Sequence, residues 1–462
     1  MRVNVDDDDT DTDTDADAFR RNSTTTTTTM TWSEASERAV ARASFVAVGV
    51  GTVFPWNVFI TEREYFARKF IDERATRGHE GVFANFEGAF AMAYAMANVF
   101  ANALGARART SDGRRDEGAR AGVATPLVLV GCAIGTSAMM TYANASAWLV
   151  YAHTMAVIVV VGAASAVAQG NGFALASDLP PAYAQAVMSG QAASGVAVSI
   201  VAIITTAGAN GASDAQARAY FFIAACVLFA CAGATWWLDS IPFYRKHAEA
   251  AREALAALES MRETSGLLEI DGEDDGELET SAAGEAAFTA VDFGECQKYR
   301  ASVAVTFVVT LSVFPAVTSA IRSEHGVFGA LWSPSLFLLF NVGDLFGRLL
   351  ATAYPKSPPR GDVLLKLAAL RLVFLPIIAA CDVSISHWMI PSVFKSECWS
   401  LAFIAALAVT NGWLASVAMM HGPSRAPAAL RASEAFDLSF ALVLGIFLGS
   451  VLSFLFVALC TL

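Results

Sequence analysis

The stretch LFLLFNVGDLFGRLLATAY, Leu336 to Tyr354, decides how this chain is read. It is about long enough to cross a bilayer as a helix, yet it carries Asp344 and Arg348 four residues apart, on one helix face. A charge at mid-bilayer costs about 2.5–3.5 kcal/mol on insertion scales, so such residues face a cavity or pair with each other. Asn341, one turn earlier, extends the same polar stripe. Amide, carboxylate and guanidinium in a row suit a polar, hydroxylated or heterocyclic ligand. The plain alternative is an ion pair that only pins helices together.

Working outward, apolar runs of spanning length recur near 40–61, 82–104, 123–142, 146–174, 182–208, 217–239, 299–321, 332–354, 363–382, 398–420 and 434–461. Composition agrees. The 462 residues are 55% hydrophobic and only 16% charged, where soluble chains carry about a quarter charged residues. The expected fold is an all-α membrane protein of eleven transmembrane helices. Residues 1–38 read as a disordered, acidic and Thr-rich tail, 39–239 as a six-helix half, 240–297 as a polar loop and 298–462 as a five-helix half. No secretory signal pattern is visible in Met1–Met30, so the first span is expected to stay as an anchor.

Arg and Lys cluster in the loops after spans two (Arg107 to Arg120), six (Arg245, Lys246), eight (Lys356, Arg360) and ten (Arg425, Arg431). These loops share one face, expected to be cytoplasmic together with the tail and the central loop, the exception being the loop after span one, where Arg63, Arg68, Lys69, Arg74 and Arg77 mix with a similar number of acids. The net charge of −12 lies largely in the tail and in Glu269–Glu279, and no basic face suggests nucleic acid. Seven cysteines show no CxxC spacing and read as small buried hydrophobes. No nucleophile motif, HExxH, Walker loop or ordered GxGxxG is present, which argues against an enzyme or an ATP-driven pump. No cofactor or metal is expected.

Span one, GVGTVFPWNVFI, places Pro55, Trp56 and Asn57 together. Pro55 removes a backbone hydrogen bond, and Trp56 is either an interfacial anchor or a stacking wall. Gln169 in span four can donate and accept, as reading a base edge requires, or can bond a neighbouring helix for about 0.6 kcal/mol. Gln191 and Asn411 sit among small residues and read as packing positions. Glu87, Asp382 and Asp437 lie near span ends. TVFPW (Thr52–Trp56) echoes SVFPA (Ser312–Ala316), consistent with parallel halves that hold substrate between them. Gly131/Gly135 and Gly445/Gly449 suit close packing within one bundle.

PWN in span one, PPAYAQAVMSGQ at span five, FPAVT in span seven, FNVGDLFGR in span eight, RLVFLP in span nine and TNGWLASVAMMHGP in span ten together resemble the equilibrative nucleoside transporter family. The resemblance implies a 6+5 arrangement related to the major facilitator fold and facilitative transport of nucleosides by alternating access. Carried over by motif, Trp56 would line the apolar wall and Gln169 would bond the base. Asp344 and Arg348 would hold ribose and base, with Asn341, Val53 and Asn57 lining the site. Ile60 and Pro315 would belong to the outer gate, and Gly190 and Ser194 would let span five pack closely. The implied partners are purine and pyrimidine nucleosides, with nucleobases as an extension, and the lipid bilayer. No oligomer is required.

Two rival readings are a proton-coupled nucleoside or nucleobase importer and, from another class, a membrane receptor or scaffold. The plasma membrane is the expected location. An ExxxLL pattern, Glu263–Leu268, points to a vacuolar or endosomal membrane as the alternative.

Overall fold

The structure, a computed structural model, describes residues 33–62, 65–70, 86–111, 120–142, 145–207, 213–271, 293–326, 328–353, 357–385 and 387–461. Most of the tail, the acidic stretch beyond Asp271 and the side chains of Glu263–Leu268 lie outside that set.

Every long element is a helix. Ser33 caps α1 (Glu34–Thr61) by accepting the Ser36 N–H, and Glu34 and Glu37 in the first turn complement the helix dipole. The helix continues through Pro55. There follow α2 (Phe86–Ser111), α3 (Thr125–Met140), α4 (Ala147–Ala176), α5 (Ala182–Ala207) and α6 (Asp214–Leu238), the last opened by a Ser213/Gln216 capping box. The polar helix α7 (Pro242–Asp271) leads into the central loop. The second half holds α8 (Phe293–Val313), α9 (Trp332–Ala353), α10 (Gly361–Leu370), α11 (Phe374–Ala379), α12 (Glu397–His421) and α13 (Arg431–Thr461).

Among the described residues ten helices are long and apolar enough to cross a membrane. The expected ninth span, 363–382, differs: it is split into α10 and α11 by a tight turn over Arg371–Val373. Pro376 has no N–H for the Leu372 carbonyl, and the Arg371 side chain ties that turn to two neighbouring helices. At about 1.5 Å per residue, Gly361 to Ala379 still reaches about 28 Å, close to the hydrocarbon thickness.

The halves repeat one pattern of pairing. In the first, α1 packs on α5, α2 on α4 and α3 on α6; in the second, α8 packs on α13 and α9 on α12. Glycines allow backbone-to-backbone approach. A Cβ on Gly49 would lie 2.0 Å from the Val187 carbonyl oxygen, and one on Gly412 would lie 2.0 Å from that of Asp344. Gly445 and Gly449 meet α8, while nothing lies within 4 Å of a Cβ on Gly135. Large apolar side chains such as Phe100, Phe222, Leu370 and Phe454 stay exposed, as a lipid-facing surface requires. Cys132, Cys226 and Cys398 are exposed as well, against the expectation of burial, and none of the seven cysteines is in a disulfide.

Between the halves, α5 lies along α9, and α13 lies against α2 and α4. The face bearing the Arg/Lys-rich loops is called inner below, and the opposite face outer. Near the inner face the Phe436 ring is buried against Gly105 of α2 and Gly170 of α4; a Cβ on either would lie 2.7 or 2.3 Å from the ring. The start of α7 packs on α1, through Phe243 N–H to Glu37, and touches the 428–430 turn before α13. The inner ends of the two halves are thereby joined.

Candidate functional site

The i,i+4 spacing in α9 gives the ion pair it predicts. Arg348 Nε donates to Asp344 Oδ2 at 2.7 Å, and both side chains are buried. The pair is held from three sides. Asn411 Nδ2 donates to the other Asp344 oxygen at 2.7 Å, and Arg348 Nη1 donates to the Met188 carbonyl at 2.7 Å. Arg348 Nη1 also reaches Gln191 Oε1 at 3.4 Å. Both carboxylate oxygens are thus engaged, which lessens the desolvation cost of a buried pair. Among the described residues Arg348 Nη2 makes no hydrogen bond. Its two N–H groups remain available to a ligand.

Gln191 continues the chain into the first half. Its Nε2 donates to Gln169 Oε1 at 3.0 Å, and Gln169 Nε2 donates to Ser439 Oγ of α13 at 3.1 Å. Ser439, Gln169, Gln191, Arg348, Asp344 and Asn411 therefore form one buried hydrogen-bonded run through α13, α4, α5, α9 and α12. Such a run is mutually polarising and costly to leave half satisfied. Gln191 and Asn411, read from sequence as packing residues, are central members. Their small neighbours were the right observation, since Gly412 and Gly190 bring the helix backbones close enough for these amides to reach inward.

The remaining expected residues lie towards the outer side. Trp56 stacks on Tyr94 of α2, with ring centroids 4.5 Å apart and planes 22° from parallel. Asn57 donates to Ser194 Oγ at 3.0 Å. Asn341 donates to Ser199 Oγ at 2.8 Å, on the α5–α9 seam and apart from the ion pair. Val53 is half-buried, and Ile60 and Pro315 are exposed. Among the described residues α1 and α8 share no extended contact, while the 329–331 turn before α9 meets α5. A cavity of about 280 Å³ lies at the inner face between the α4–α5 turn, His247 of α7 and Met419 and Met420 of α12.

Two features were not singled out from sequence. Arg371 is 3% exposed and sits at the split in span nine. On the outer face, Glu397 accepts the His325 N–H at 2.6 Å, its ring Nδ1 at 2.9 Å and the Ser323 hydroxyl at 2.9 Å. This ties the loop after α8 to the start of α12 across more than seventy residues of chain, a pairing that local spacing cannot reveal.

The sequence profile described as nucleoside transporter matches residues 155–458. Equilibrative nucleoside transporter 1 of Rattus norvegicus is 29% identical, with 90% of this chain and 96% of the relative covered. The Homo sapiens protein of the same name is 26% identical over the same shares. Among solved structures, the major facilitator superfamily proton:xylose symporter XylE bound to 6-bromo-6-deoxy-D-glucose superposes with a TM-score of 0.54. Identity is 14%, and 90% of this chain and 86% of that one are covered. The fold is therefore of the major facilitator kind.

Proposed function

The chain belongs to the nucleoside transporter family, and from that premise we propose that it moves purine and pyrimidine nucleosides down their gradient between its two halves. It is an integral membrane transporter and not an enzyme. The observation that carries the site assignment is the buried run joining Gln169 of the first half to Asp344 and Arg348 of the second. A ligand seated there touches both halves at once, as alternating access requires.

In this reading substrate enters past Ile60 and Pro315 and slides its base over Trp56, whose far face is supported by Tyr94. The ribose hydroxyls donate to Asp344 and accept from Arg348 Nη2. Gln169 turns from Ser439 or Gln191 to the base edge. Val53, Asn57 and Asn341 complete the wall. Hydrogen bonds to charged groups contribute about 1.5–3 kcal/mol each, roughly a factor of 10 to 100 in affinity. Closure of α1 on α8 outside, with release of Phe436 inside, would then turn the site to the inner face. The substrate gradient sets the direction.

The test is uptake of radiolabelled uridine and adenosine, with nucleobases as competitors, into cells expressing Asp344→Asn or Arg348→Lys. Both variants should reach the membrane and lose uptake, whereas wild-type uptake in both would overturn the site. The plasma membrane is the proposed location, checked by imaging the full chain and its Leu267→Ala/Leu268→Ala variant. In this scheme residues 240–297 tether the halves and take no part in binding.

A further inference from the structure

Arg371 is the second guanidinium buried in the second half, and it belongs to the same hydrogen-bonded run as the ion pair. Its Nε donates to Thr410 Oγ1 at 3.1 Å and its Nη1 to the Thr306 carbonyl at 2.6 Å. Its Nη2 donates to Thr310 Oγ1 at 2.8 Å and to the Leu407 carbonyl at 3.0 Å. Thr310 passes the contact on: its hydroxyl donates to Asn411 Oδ1 at 2.7 Å, and Asn411 Nδ2 donates to Asp344 Oδ1 at 2.7 Å.

The direction of each bond is dictated by chemistry. A guanidinium can only donate, so Thr310 Oγ1 accepts from Arg371, and its single hydrogen goes to the nearer of two acceptors, Asn411 Oδ1 at 2.7 Å rather than the Thr306 carbonyl at 3.0 Å. The Asp344 carboxylate can only accept, so the Asn411 NH₂ faces it, and the Thr310 hydroxyl anchors the Asn411 carbonyl at the other end. Without Arg371, Thr310 could return its hydrogen to the Thr306 carbonyl, 3.0 Å away, and the Asn411 carbonyl would lose the donor that anchors it. The amide that donates to Asp344 would then be held at one end only. The charge count points the same way. Among the described residues Asp344 is the acid that acts electrostatically on Arg371, so one carboxylate serves two buried cations.

We propose that Arg371 is a positioning residue for substrate binding. Acting through Thr310, it orients the Asn411 amide and so holds Asp344 in the rotamer that meets the substrate. Arg371 itself touches no substrate, being sealed behind α8 and α12. Its place at the split makes span nine part of the binding apparatus, since any shift of α10 against α11 moves the guanidinium and with it the relay.

The inference rests on the Asp344 site reading, and the test separates the two. Full-length Asp344→Asn, Arg371→Lys, Thr310→Val and the Arg371→Lys/Thr310→Val double variant are purified in detergent. Tritiated uridine affinity and the unliganded unfolding midpoint are measured for each. Thr310→Val removes only the relaying hydroxyl at nearly constant volume, so it decides the matter if Arg371→Lys does not fold. Each single variant should weaken uridine binding about tenfold, within the usual range for coupled neighbours, and the double variant should be no weaker than the worse single. Wild-type affinity in Thr310→Val, or losses that multiply in the double variant, would overturn the relay. If Asp344→Asn binds uridine normally, the site reading itself is wrong. If it loses binding while the relay variants keep theirs, only the role of Arg371 fails.

Discussion

Asn411 of α12 donates to the carboxylate of Asp344 of α9 at 2.7 Å, and Gly412 beside it is what allows the two helices to come that close. Replacing Asn411 with Leu leaves Asp344 Oδ1 buried without its donor. An unsatisfied buried acceptor costs about 1–3 kcal/mol, so uridine KM should rise roughly 10- to 100-fold. Initial-rate uptake at matched surface expression measures it.

Gly412→Ala should be worse for the fold than for any single contact. The new methyl would lie 2.0 Å from a backbone oxygen, with no flexible side chain to yield. Overpacking of this kind costs about 1–3 kcal/mol or more. Gly135→Ala is the control, because its methyl meets nothing within 4 Å. Thermal unfolding in detergent should show a lower midpoint for the first and an unchanged or slightly higher one for the second.

Phe436→Ala should open the inner seal. The ring fills the space between two glycines, and losing a buried Phe costs on the order of 3 kcal/mol or more. That shifts the population towards inward-open forms. A Ser177→Cys reporter at the inner cavity should then react faster with a membrane-impermeant thiol reagent added from the inner side. Equal labelling rates with and without the ring would refute this role.

His325 makes the outer loop sensitive to pH. The Glu397 acceptor, helped by the charge of Glu324, raises the imidazole titration above its ordinary value. For a raised histidine the tether is at full strength below the ordinary imidazole range. It weakens as pH rises through the raised value. Hydrogen exchange of residues 323–326 should accelerate across that window in the wild type and stay flat with pH, after correction for intrinsic exchange, in His325→Gln.

Much of this architecture was legible from hydropathy because a bilayer permits few solutions: each span must be a helix satisfying its own backbone. The Asp344–Arg348 pair was legible because four residues is a local distance on a helix. Arg371 was passed over although it lies in the middle of the 363–382 run, because nothing local shows that its partners come from α8 and α12. The hydrogen bonds of Gln191 to α4 and α9 were hidden for another reason. Small neighbours signal close packing, and close packing is also what delivers a short amide to the centre. The split of span nine had a local sign in Pro376, but the tie from Arg371 that accompanies it is tertiary.

The inner seal is a ring fitted between two glycines, with no charge of its own, while the outer tether is an ion pair on an exposed loop. Electrolyte screens charges but leaves a packed aromatic ring almost untouched. The two ends of the molecule therefore answer to different surroundings. Salt and acidity at the outer face can retune how the outer ends move, whereas the inner face presents a plug that yields only to mechanical separation of the halves.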